Sequence, residues 1–155
     1  MDGIRGDDPE TLGVFGSWYA AHESGDVAGL AAALGEDVVI HSLFKATLVQ
    51  GRDAAVMHFL GVNATFSRMQ MTLCHRPAAA EGRVLAEVEF AGAFTGELTW
   101  SGVTTRGAGQ GFRVPGVVVV GVADGAVSSV RTLFDRDDWL RQIGVRSSDP
   151  DRARR

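Results

Sequence analysis

The chain holds a single cysteine, Cys74, and a single lysine, Lys45, among 155 residues. One thiol forms neither an intramolecular disulfide nor a cysteine-based zinc site, so Cys74 reads as a small buried hydrophobe. Basic residues cluster only at Arg152, Arg154 and Arg155, and the formal net charge is −4. A nucleic-acid-binding face needs a basic stripe, which is missing, so no nucleic acid is expected as a partner. The longest strongly apolar stretch, around Val117 to Val120, is far too short to span a bilayer. The first residues, Met1 to Asp8, contain no apolar signal core. No membrane partner is therefore expected, and the cytoplasm is the expected compartment. Histidine and carboxylate spacings typical of metal ligands are missing, so no metal site is expected. Gly107-Ala108-Gly109-Gln110-Gly111 lacks the Lys-Ser/Thr ending of a phosphate loop and runs into a strand pattern.

What is present suffices for one globular domain. Apolar residues make up 45% and charged residues 22%, with mean hydropathy +0.05. Size scaling gives roughly 24,000 Å² of surface unfolded and about 7,500 Å² folded, so about 68% can be buried without a staple. The expected layout is a flexible leader over 1–8, a single domain over 9–145 and a polar tail over 146–155.

Local patterns order the elements. Asp8-Pro9 is a helix start, and Leu12, Phe15, Trp18, Tyr19 and His22 recur at helical spacing up to Glu23. Asp26 caps a short helix, Val27 to Leu34, and Gly35-Glu36-Asp37 reads as a turn. Val38 to Ser42 reads as a strand, Phe44 to Gly51 as a loop and Arg52 to Ser67 as a third helix. The period then becomes two: Met69 to Arg76, Arg83 to Phe94, Phe112 to Ala123 and Ala126 to Phe134 are strands. Thr95 to Gly111 reads as a mobile hairpin region. Asp124-Gly125 is a tight turn, and Asp135 caps a terminal helix ended by Gly144. Helices, then an antiparallel meander, then a helix make an α+β fold with helices on one sheet face. Such a cone leaves one open end for a deep apolar cavity.

This order resembles the SnoaL-like polyketide cyclases of the nuclear transport factor 2-like superfamily, which includes ketosteroid isomerases and limonene epoxide hydrolases. The resemblance covers roughly 10–145 and rests on several pieces together. They are Ser24-Gly25-Asp26, Val38 to His41 with Gly51 to Ala54, Gly92 to Gly96, Val122 to Val127, Phe134-Asp135 and Leu140 to Gly144. It implies a cone-shaped fold, a homodimer and no cofactor. It also implies where reacting groups would sit. The isomerase positions fall at Trp18, Ser42 and near Val117, and none carries the required acid or base. The epoxide hydrolase positions fall at Val88, Phe90 and Thr132. The aldol-type cyclase acid/base also falls at Thr132, and a histidine frequent in the family is replaced by Phe94.

The substitutions share a direction: the cavity becomes apolar and aromatic. The expected wall is Trp18, Ile40, His41, Phe59, Phe66, Val88, Phe90, Phe94, Val117 and Val130. His41 can equally be a surface residue, since Ile40 and Ser42 are the inward pair by alternation. Ser42, Thr132 and Trp100 are the expected hydrogen-bond donors, and no strong base stands beside them. Glu87 and Glu89 alternate with the inward residues and are read as outward; a one-residue slip would turn both inward. His58 is read as solvent-facing and His22 as a helix-end side chain. Three functions follow in order of preference. The first is a cyclase that folds an apolar polyketide-like substrate for pericyclic or conjugate-addition ring closure, mainly through proximity and shape. The others are a non-catalytic binder of an apolar metabolite, and an isomerase or epoxide-hydrolase-like enzyme using Glu87 or Glu89.

Overall fold

The computed structural model describes residues 8–42 and 47–145. Residues 1–7 of the expected leader, residues 43–46, where the expected loop Phe44 to Gly51 begins, and the expected tail over 146–155 lie outside the described residues. Helix α1 spans Pro9–Ser24. The Asp8 carboxylate accepts from the backbone N–H groups of Glu10 and Thr11, and Pro9 occupies a position that needs no donor. Gly25 ends the helix in the left-handed region at φ 70°. Helix α2, Val27–Ala33, is capped by Asp26, which accepts from the Gly29 N–H.

Strand β1 begins earlier than expected, at Leu34, and runs to His41. The expected turn at Gly35-Glu36-Asp37 is extended backbone, accommodated by a shift of register between Leu34 and Val39. A two-residue strand β2, Val49–Gln50, precedes α3, Arg52–Thr65. Helix α3 stops two residues earlier than its apolar pattern suggests, because Phe66 takes β geometry and pairs with Phe94. The remaining strands are β3 Phe66–Leu73, β4 Ala78–Ala80, β5 Arg83–Phe94, β6 Glu97–Trp100, β7 Val103–Arg106, β8 Gln110–Ala123 and β9 Ala126–Phe134, followed by α4 Arg136–Ile143. Asp135 caps α4.

The main sheet has the order β2-β1-β9-β8-β5-β3, with β4 on the edge of β5. Its pairings are antiparallel except that β1 runs parallel to β9. The connection between these two parallel strands is the whole stretch from β2 through α3 to β8, since a parallel strand cannot be reached by a tight turn. Helices and sheet thus form the α+β layers expected. The β6–β7 hairpin is a separate ribbon turning at Ser101 and Gly102, with φ 51° and 78°.

Register on β5 and β8 decides what faces inward. Ala86 pairs with Val118, Val84 with Val120 and Phe90 with Val114, and all six are buried. The alternate set points outward: Leu85 is exposed and Glu87 is opposite Val117. At one end of the fold Phe66, Phe94, Phe112 and Trp139 form an aromatic cluster, with ring centroids 5.6–6.2 Å apart for the contacting pairs. Tilted and edge-on pairs of this kind add to the area they bury. Cys74 is exposed, contrary to expectation, because it follows the last residue of β3 where the alternation ends. Among the described residues no helix is long and apolar enough to cross a membrane.

Candidate functional site

The concave sheet face and helices α1–α3 enclose a cavity of about 110 Å³. Its floor is Phe90 from β5 with Val130 and Thr132 from β9. Ile40 and Ser42 reach it from β1 and just beyond, because Ile40 pairs with Val130 and shares its face. Trp18 contributes from α1 and Phe59 from α3. These seven side chains are where alternation and helical spacing place them.

Six expected residues lie elsewhere. His41 pairs with Arg131 on the outer face, one residue out of phase with Ile40. Val117 is also out of phase: Gly116 and Val118 face inward beside Phe134 and Thr132, and Val117 sits opposite Glu87. Val88 is inward but sealed in the core at 1% exposure. Phe66 and Phe94 belong to the aromatic cluster, fully packed rather than lining the cavity. Trp100 stands on the hairpin against Trp139, with the Arg136 guanidinium 5.0 Å from its ring centre. It is therefore a packing group outside the cavity, so the expected donors reduce to Ser42 and Thr132.

Glu87 and Glu89 point away from the cavity, as the unslipped register requires. Glu87 meets His75 at 3.2 Å, with both side chains largely exposed. Glu89 meets Arg113 at 2.6 Å across the strand pair. Neither carboxylate is available to a molecule inside, which removes the acid/base reading that depended on them.

The cavity also contains polar groups that the sequence reading put elsewhere. His22, His58 and Gln70 line it; Asn63, which helical spacing puts on the side of Phe59, lines it too. His58 and Asn63 sit beside Phe59 and Val62 on α3, whose inward side is broader than the apolar stripe alone indicates. Met69, Gln70 and Met71 line it consecutively, which a regular strand forbids. Arg68, at φ 54°, and the register shift between Ser67 and Gln70 produce this exception. A β-bulge has no reliable side-chain signature, and Arg68-Met69-Gln70-Met71 alternates as a regular strand would.

Three contacts tie α1 to β3 at the cavity edge. The Tyr19 hydroxyl donates to the Met71 carbonyl at 2.8 Å. The Met71 N–H donates to both Glu23 carboxylate oxygens at 3.1 Å. Glu23 Oε1 in turn stands 3.3 Å from His22 Nδ1. Burial, and then the Glu23 charge, push the Tyr19 hydroxyl above its ordinary pKa of 10.0. The His22 ring packs on Trp18 and Phe59, with centroids 5.3 and 5.2 Å away.

The described lining contains no aspartate, glutamate, lysine or arginine. Among the described residues no group of three or more metal-ligating side chains comes together. A second, open groove of about 430 Å³ lies between α3 and β6, with Met57 and Leu98 in its walls.

Comparison with known proteins agrees with this architecture. The family described as SnoaL-like domain matches residues 15–130. A Xanthomonas campestris protein provisionally designated a polyketide cyclase superposes with TM-score 0.74 at 25% identity, over 86% of this chain and 96% of its own. A Mycobacterium tuberculosis epoxide hydrolase of the limonene epoxide hydrolase-like type gives TM-score 0.67 at 19% identity, over 86% and 89%. A Catenulispora acidiphila protein with a ketosteroid isomerase-like fold, bound to trimethylamine, gives 0.69 at 17% identity, over 90% and 96%. No curated protein matches the chain.

Proposed function

Since this chain belongs to the SnoaL-like domain family, we propose that it is a cofactor-independent cyclase closing a ring on an apolar, polyketide-like substrate in the cytoplasm. The observation that carries this reading is the described cavity wall, which is free of carboxylates, guanidinium and ammonium groups. Such a wall favours an apolar ligand and gives its chain few ways to lie. Holding two ends of one molecule in near-attack geometry can supply up to roughly 7–11 kcal/mol of the barrier.

Cavity size limits what fits. At roughly 10–15 Å³ per water-sized occupant, 110 Å³ holds about ten heavy atoms. A single ring in formation fits inside, and a longer substrate extends through the mouth. Ser42 and Thr132 line the cavity, and this reading assigns their side chains to a carbonyl oxygen whose charge grows during closure.

Conversion of linear poly-β-ketone thioesters of increasing length, followed by mass and chromatographic shift of the product, tests the reading. Ring-closed product is expected, and Thr132→Val should lower kcat by roughly 10²-fold if its hydroxyl stabilises that oxygen. Tight binding of such compounds without turnover would instead support the binding-protein reading.

A further inference from the structure

Resting on that reading, we infer that His22 is a catalytic residue of the cavity, the group that removes and returns a substrate proton, and that Glu23 is its positioning residue. The two are consecutive on α1, yet they have different surroundings. His22 lines the cavity with its ring packed against Trp18 and Phe59. Glu23 turns toward β3 and is fixed there by the Met71 N–H. Helical geometry alone does not bring neighbours i and i+1 face to face. Anchoring Glu23 on the β3 backbone brings its Oε1 to 3.3 Å from His22 Nδ1.

That contact has a chemical consequence. A carboxylate accepts only, so the neutral imidazole carries its proton on Nδ1 and leaves Nε2 with a free lone pair. Nε2 meets no protein partner among the described residues. The ring contacts with Trp18 and Phe59 restrict its swing, and the Glu23 charge balances the imidazolium formed once a proton is taken. The other titratable groups around this pair are Tyr19 on α1 and His58 on α3, the latter also in the wall.

For a substrate with a C–H between two carbonyls, the step balances without a co-reactant. Nε2 takes the C–H proton, and the C–H electron pair becomes the new C–C bond to a third carbonyl carbon farther along the same chain. The π pair of that carbonyl moves to its oxygen, which takes the proton back from the imidazolium. Thr132, in the same cavity wall, is the hydroxyl assigned to that oxygen during the step.

A nitrobenzisoxazole tests for this base directly, because it is compact, apolar and opens when a base removes the one C–H proton of its isoxazole ring. The C–H pair forms the nitrile as the N–O bond breaks, releasing a coloured phenolate. Intact protein should open it faster than an equal concentration of free imidazole. His22→Gln should reduce kcat by about 100-fold. His22→Ala, checked for folding by thermal melting, should recover turnover when free imidazole is added. Glu23→Gln keeps an oxygen for the Met71 N–H and should lower kcat while leaving KM unchanged. The proposal is overturned if wild-type protein is no faster than imidazole or if His22→Gln retains the rate. It is equally overturned if His58→Gln abolishes turnover while His22→Gln does not. Those failures leave ring closure of the thioesters intact as a separate result, whereas a failed cyclase reading with an active His22 leaves the probe reaction unchanged.

Discussion

Tyr19 is the only tyrosine in the chain, so its ionisation can be followed without interference from another phenol. Near-UV titration should give a phenolate midpoint above 10.0, and Glu23→Gln should move it back toward that value. A raised folded-state pKa stabilises the fold fully below pH 10, and that contribution is lost as pH rises through the folded value. Asp8 behaves oppositely. The Thr11 hydroxyl, and then its N–H, hold the Asp8 carboxyl below its ordinary 3.8. Its contribution is therefore present above 3.8 and lost as pH falls through the lower folded value. The melting temperatures of wild type and Asp8→Ala should differ near neutrality and converge in strong acid. Phe90 and Phe94 separate wall from core. Each truncation to alanine should cost about 3–5 kcal/mol by chemical denaturation. Only Phe90→Ala should also broaden the range of ligands bound, since Phe94 is outside the cavity wall. The sequence places both on one strand face and does not distinguish them, because their difference is position along the strand relative to α4.

At the level of elements, the β6–β7 hairpin leaves the sheet through a narrow base. Gly107 N–H donates to the Gly96 carbonyl at 2.7 Å, and Gly109 N–H to the Phe94 carbonyl at 2.8 Å. A Cβ on Gly107 would overlap the Phe94 carbonyl oxygen. Gly107→Ala should cost about 1–3 kcal/mol of stability by displacing this crossing. Differential scanning calorimetry would read that loss, with the Phe90 side of the cavity unchanged in ligand affinity. The glycines were visible in the sequence, but their role was not, since it comes from a backbone far along the chain. The facing of β5 was legible: alternation put Ala86, Val88 and Phe90 inward and Glu87 outward, as observed, whereas Val117 on β8, expected inward, lies opposite Glu87. The β3 bulge was not legible, and it brings Gln70 into the cavity.

For the whole molecule, the convex sheet face carries Leu85 and Leu133, each about half exposed, beside Val117, Val119 and Arg131. We propose that two copies pair through this face, which would cover apolar side chains otherwise left in water. Multi-angle light scattering at micromolar concentration should give about twice 16.4 kDa. Leu133→Arg should return the single-chain mass, because a charge at that position would be buried without a counter-charge. A monomeric wild type would contradict the pairing.

Sequence alone determined that the helices and the long strands exist and in what order, through caps, turns and hydrophobic period, but not the strand identity of Leu34 to Asp37 or of Phe66 and Ser67. It also determined the inward face of β5, because period-two alternation fixes that once one buried residue is known. Local signals reach only a few positions along the chain. The parallel arrival of β1 beside β9, the bulge at Arg68 and the early end of α3 at Phe66 depend on partners dozens of residues away. Those long-range contacts decided that the cavity wall includes His22, His58 and Gln70 and leaves out Phe94, Val117 and Trp100. They also set Glu23 between the His22 ring and the Met71 amide, where a carboxylate finds donors that neighbours in its own helix cannot offer.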